Sequence, residues 1–232
     1  GALGGMLWAA IPAFLKTQFN TNEILVSLML VYIAQLAVSW LVHGPMIDPE
    51  GFGFPQSRMF EDSALLPMLI EGTRLNWAFG FALVSVLVIY VFMYRSFVGF
   101  QLQVAGQAPD AARYAGFSAK RMVWSGLLAG GGMAGIAGMS EVSGPMGQLT
   151  EHISNGYGFA AIIVAFVARL NPVGIVFASL LMALLYLGGE QAQQYLNLPS
   201  SISNVFQGML LMFLLGADVL INYRLRWSAA RT

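Results

Sequence analysis

Among the polar side chains within or beside long apolar runs are Gln35, Asn76, Glu141, Asn155, Asn204 and Gln207. In lipid such groups are costly, so they turn toward a bundle interior or a water-filled path. Their chemistry is hydrogen bonding to a passing solute, or capping and bracing of helices. Gln191 and Ser203 belong to the same set of polar side chains. Covalent chemistry has no such support. The only lysines, Lys16 and Lys120, do not follow Gly, so the Gly-Lys-Ser/Thr end of a phosphate-binding loop is missing. His43 and His152 lack the His-Glu-x-x-His spacing of a zinc helix, and there is no cysteine. No Gly-x-Ser-x-Gly nucleophile turn occurs. No catalytic residue, metal or cofactor is therefore expected in this chain.

A second group could do mechanical work. Residues 104–121 read VAGQAPDAARYAGFSAKR. Pro109 suits a first helical position, where a missing N–H costs nothing, and Asp110 favours the positive helix end. Ala111, Ala112 and Ala115 are strong helix formers, and Gly116 can take the left-handed conformation that stops the helix. Ser118 can then cap the next helix, which starts its apolar run at Met122. The expected product is a helix of two turns over Pro109–Ala115, roughly 10 Å long. It presents Arg113 and small residues. By itself it is either a joint between two spans or a knob against which a partner can push.

These groups must be positioned by membrane helices. Of 232 residues, 57% are hydrophobic and 9% charged, where a soluble domain carries about 25% charged residues. Seven stretches hold no Asp, Glu, Lys or Arg: 1–15, 24–42, 75–94, 122–140, 153–168, 170–189 and 196–217. A crossing takes about 20 apolar residues. The 153–168 run is short for that and suits a tilted, interrupted or partly buried helix. The runs do not alternate as barrel strands would. The fold class is all-α, a polytopic bundle of about seven membrane segments forming one domain over 1–232. Net charge is zero, so nothing draws the chain to nucleic acid.

If the 24–42 run goes outward and the rest alternate, Lys16, Arg95, Arg113, Lys120, Arg121, Arg169, Arg224, Arg226 and Arg231 fall on one side. Arg58 and Arg74 fall on the other, with most of the acids. Cytoplasmic loops are rich in Lys and Arg, so the first side is the cytoplasm and the C-terminus lies there. That makes 95–121 a cytoplasmic connection and 43–74 an external one. The apolar patch at Ala64–Ile70 around Pro67 is either a short re-entrant segment or an ordinary loop. In the 122–140 run, Gly126, Gly130, Ala134 and Gly138 recur every fourth residue. They are expected to form a smooth face for close helix packing, with Gly131 and Gly135 as a second small row.

The 104–121 segment resembles the coupling loop of bacterial ABC importer permeases of the branched-chain amino acid, ribose and nucleoside class. Gly106, Ala111, Ala112, Tyr114, Ala115 and Gly116 carry the likeness, with Pro109, Asp110 and Arg113 inside the same helix. It continues in NGYGFAAIIVAFVARLNPVGI at 155–175 and in LWAAIPAFLKTQFNTNE at 7–23. The stretch ILVSLMLVYIA after it is most similar to simple-sugar and nucleoside permeases, departing at Val31 where they often carry Asn. The resemblance implies an ATP-binding subunit docked on 106–117, a second permease subunit, homo- or heterodimeric, and an extracellular or periplasmic solute-binding protein. It implies a multi-pass protein of the bacterial inner membrane. Such permeases have more helices than seven, and the chain opens at Gly1 inside an apolar run, so a preceding N-terminal portion is expected. The competing readings are a secondary transporter or channel, which needs an ionisable path absent from these runs, and a membrane enzyme.

Overall fold

A computed structural model of the chain describes residues 1–196 except 52, 71, 74, 152 and 155, together with 205, 206, 208, 209, 212, 213, 216 and 217. Among the described residues it is helical, with only isolated β-bridges in the 43–76 connection and its neighbours. Two compact units divide at Asn155 and Gly156.

The first unit opens with α1 (Ala2–Phe19) and α2 (Glu23–His43). Their joint is written in the sequence FNTNE. Asn20 takes the left-handed conformation (φ 52°) and its N–H closes on the Lys16 carbonyl. Asn22 caps α2 by accepting from the Ile24 N–H at 3.0 Å. Lys16 and Glu23 then pair across the joint at 2.8 Å. A left-handed backbone costs roughly 1–2 kcal/mol for an ordinary residue and less for Asn, whose short side chain bonds locally. Asn20→Val should therefore lower the thermal midpoint of the purified protein in detergent by about 2–8 °C. Asn20→Gly should leave it unchanged, and an unaffected Val variant would show that the joint is not strained.

Next come α3 (Trp77–Arg95), α4 (Phe97–Gln107), α5 (Pro109–Tyr114) and α6 (Ala119–Glu141). α6 is the spine, packed by α1, α3 and α4. Along the α1 seam the two backbones nearly touch. A Cβ built on Gly5 would strike the Gly131 carbonyl and stand 2.9 Å from the Gly135 Cα. One on Gly131 would strike the Ala9 Cβ, and Met6 reaches over Gly132. At the other end, the Trp124 indole N–H donates to Thr17 Oγ1 at 3.2 Å. Of the two small-residue rows expected on α6, this seam uses the second. Gly126, Gly130, Ala134 and Gly138 are exposed in this unit, and nothing lies within 4 Å of a Cβ at Gly130 or Gly138. One residue of offset turns a helix face by about 100°. The glycines of α1 engage the second row, so the first is left open.

After α6 the chain makes a π-helical turn (Val142–Met146) containing Pro145, closed by left-handed Gly147 (φ 66°). The 43–76 connection is laid over it by backbone bonds. Ser57 N–H donates to Leu149 O, Phe60 N–H to Gly147 O and Leu66 N–H to Ser143 O, at 2.8–2.9 Å. Among the described residues of this cap only Asp62–Ala64 is helical, as one 3-10 turn, so the apolar patch around Pro67 is an irregular loop tied to the end of α6.

The second unit pairs α7 (Tyr157–Val167) with α8 (Pro172–Leu196). Ala160, Ile163 and Met182 form its small core, and the Tyr157 and Tyr186 rings meet edge-on at 5.9 Å. The turn between the helices puts Arg169 and Leu170 in left-handed backbone (φ 49° and 56°), and Asn171 caps α8 at the Val173 N–H. With 11 residues, α7 is about 16 Å long, half of the ~30 Å hydrocarbon layer. α7 by itself is therefore shorter than a full crossing. Among the described residues, the helices long and apolar enough to cross are α2, α3, α6 with its π turn, and α8. The last apolar run, 196–217, lies mostly outside the described residues.

Candidate functional site

The 95–121 connection is more built than its composition suggests. Ser96 makes a sharp elbow between α3 and α4, its Oγ donating to Phe92 O at 2.5 Å and accepting from Gly99 N at 3.0 Å. Gln103 crosses back to donate to Met93 O at 2.7 Å. Gly99 lies directly on the last turn of α3, where a Cβ would strike the Phe92 carbonyl. The α4 helix and its elbow are the part that the sequence reading missed; Ser96 three residues before Gly99 was the available signal.

From this fixed base the chain enters α5 at Pro109 and leaves it through a paired closure. Phe117 N–H bonds to Ala112 O at 3.0 Å and Gly116 N–H to Arg113 O at 3.1 Å, with Gly116 left-handed (φ 78°). That is a Schellman stop, which satisfies carbonyls that a helix end leaves orphaned. Phe117 then stands edge-on to both Phe97 and Phe100, at 6.1 and 6.4 Å between centroids. Ser118 sits at the N-cap of α6 without a side-chain bond. The short helix is thus held at both ends. Ala112 is its buried anchor, and Gly106, Pro109, Asp110, Ala111, Arg113, Ala115 and Gly116 are exposed. Tyr114 is 94% exposed. An exposed Tyr beside Ala111 on a braced helix is a surface suited to insertion into a partner's pocket, since Tyr supplies large contact area at low entropic cost.

The polar candidates are scattered. Asn76 caps α3, accepting from Ala78 N–H at 3.1 Å, and its amide crowds Gly144 of the π turn. That is a bracing role. Glu141 ends α6 where the π turn starts, half-buried, so Asn76 and Glu141 share one end of the unit. Gln35 is exposed in the middle of α2. An amide facing hydrocarbon without a partner costs roughly 2–7 kcal/mol, which gives Gln35 a strong reason not to face lipid. Asn155, Asn204 and Gln207 lie outside the described residues. The sequence reading did not foresee the link from Ser39 Oγ to Glu151 Oε1 at 3.1 Å, which ties α2 to the segment after the π turn. Among the described residues no cluster of His, Cys, Asp or Glu could hold a metal.

The chain matches the family described as branched-chain amino acid transport system / permease component over residues 1–215. It is 33% identical to a glucose ABC transporter permease protein of Haloferax volcanii, covering 96% of this chain and 61% of that one. It is 26% identical to a guanosine ABC transporter permease protein of Bacillus subtilis, covering 91% and 62%. A nucleoside ABC transporter permease protein of Lactococcus lactis subsp. cremoris is 25% identical, covering 92% and 61%. The chain thus spans about three-fifths of the length of these curated relatives. No solved structure matches it.

Proposed function

Since this chain belongs to the branched-chain amino acid transport system / permease component family, we propose that it is the membrane permease subunit of an ABC importer for a simple sugar or nucleoside. The observation that carries this reading is α5: a two-turn helix closed by a Schellman stop, clamped by Phe97, Phe100 and Phe117, and offering Ala111 and Tyr114 outward. A separate ATP-binding subunit docks there from the cytoplasm; the excess of Lys and Arg on the side of the 95–121 connection supports that orientation. Closure of the ATPase pair pushes α5. The push passes through the Ser96 elbow into α3 and through the Gly116 stop into α6, so the solute path opens alternately to either side. A second permease subunit completes the path. An extracellular solute-binding protein delivers to the 43–76 cap in the bacterial inner membrane, and the C-terminus stays cytoplasmic. Among the described residues, α2, α3 and α6 hold no Asp, Glu, Lys, Arg or His between their end turns, while α8 carries Glu190; that pattern favours a neutral solute path over an ion-coupled one.

The same neutrality supports this solute class. The relatives' names mention glucose, guanosine and nucleosides, all polar solutes that hydrogen bonds recognise without a fixed counter-charge. The test uses the chain's lack of cysteine. A Tyr114→Cys variant, expressed without its ATP-binding subunit, should react with a membrane-impermeant maleimide only in inside-out vesicles. Added ATP-binding subunit should protect it. Right-side-out vesicles holding the complete unsubstituted system, with the solute-binding protein outside, should accumulate radiolabelled glucose or guanosine only when ATP is trapped inside. Labelling from outside intact cells would overturn the topology, and uptake without ATP would overturn the importer.

A further inference from the structure

α2 carries hydrogen-bonding groups in a pattern that its apolar composition hides. Tyr32, Gln35, Ser39 and His43 are spaced by three, four and four residues. At 100° per residue these positions fall within an arc of about 80°. The packed side of the same helix runs through Leu30, Ala34, Val38 and Val42, which are buried or half-buried. Tyr32, 65% exposed, and Gln35 therefore face away from the rest of their unit. Toward the other end the stripe becomes ordered. Ser39 Oγ donates to Glu151 Oε1 at 3.1 Å, and the His43 Nδ1 lies 2.9 Å from the Ser39 carbonyl. The polar row thus runs from mid-helix to the cap without a break. A continuous row of this kind on a membrane helix does not face lipid.

We propose that Tyr32, Gln35 and Ser39 line the solute path and select a neutral, hydroxyl-bearing solute. The assignment rests on the permease reading and goes beyond it by naming the wall of the path. The groups suit that solute class. Between Glu23 and His43 the helix holds no formal charge, so a charged solute finds no counter-ion. The Gln35 amide both donates and accepts, as a vicinal diol does, and Ser39 adds a hydroxyl. Tyr32 offers a flat apolar face to a sugar ring or a nucleobase. Glu151 holds Ser39 as a positioning residue at the mouth.

Single-cysteine variants of the otherwise cysteine-free chain, assembled with their ATP-binding subunit in right-side-out vesicles, test this. The probe is the water-soluble thiol reagent MTSET, and rates are read against the total thiol accessible after denaturation. Tyr32→Cys, Gln35→Cys and Ser39→Cys should react at least about tenfold faster than Ile33→Cys and Trp40→Cys, which share the exposed side but lie off the stripe. The Gln35→Cys rate should also change when ATP and vanadate are trapped inside. Slow rates at all five positions would mean that another helix covers the stripe, and the proposal would fall. Equal fast rates would do the same, because water would then surround the helix. ATP-dependence of uptake by the unsubstituted chain in the same vesicles tests the importer reading separately.

Discussion

Ala111→Glu should reduce ATP-driven uptake by about 100-fold or more while the protein still inserts and accumulates in the membrane. The argument separates the helix from its surface. Ala111 is exposed and lies one turn from Tyr114, on the side of α5 away from its buried anchor Ala112. Glu is a good helix former, so the substitution costs the helix only a few tenths of a kcal/mol. The Schellman stop uses backbone groups of Ala112, Arg113, Gly116 and Phe117 and is untouched. What changes is the docking face. A carboxylate driven into a tight interface without a partner costs several kcal/mol, and 2.7 kcal/mol is already a factor of about 100. Ala112→Glu should behave differently. It buries a charge within the fold, so the protein itself should be lost from the membrane. Uptake and membrane level, measured side by side, distinguish the two, and normal uptake by Ala111→Glu would remove α5 from the coupling path.

The ends of α5 were legible because their causes are local. Pro109 presets its own φ, and Gly116 alone relieves the left-handed stop, so both speak through the sequence at their own positions. The brace was not legible, because Phe117 meets Phe97 and Phe100 only once the Ser96 elbow has folded α4 back. α7 shows the converse. Its apolar run is longer than its helix, since left-handed backbone at Gly156 starts the helix four residues into the run. Apolar length sets an upper limit to a span and does not fix it. The Ser39 to Glu151 bond joins residues 112 apart, and no periodicity within one helix reports its partner. The Tyr32, Gln35, Ser39 and His43 stripe was present as spacing, yet a mean over the helix dilutes four polar groups among seventeen neighbours that are mostly apolar.

Gly131→Ile should detach α1 from α6, whereas Gly130→Ile, one residue earlier, should not. α6 offers two rows of small residues, and periodicity alone ranks them equally. The choice is made by α1, where Gly1, Gly5 and Ala9 repeat every fourth residue and face Gly131 and Gly135. At Gly131 an added Cβ meets the Ala9 Cβ and the Gly5 carbonyl, 2.6 Å away. Neither is a flexible side-chain end, so the helices must separate. Overpacking typically costs 1–3 kcal/mol, and here separation also strips contact from the length of α1 and pulls Thr17 from the Trp124 indole. In lipid that contact is what holds helices together, because tails solvate apolar side chains as well as neighbours do. The thermal midpoint in detergent should fall by about 5 °C or more for Gly131→Ile, with faster tryptic release of the N-terminal helix. Nothing lies within 4 Å of a Cβ at Gly130, so its Ile variant should keep the seam and the midpoint. Equal losses from both variants would mean that the open row is filled in the assembled protein, and that α1 does not hold the spine alone.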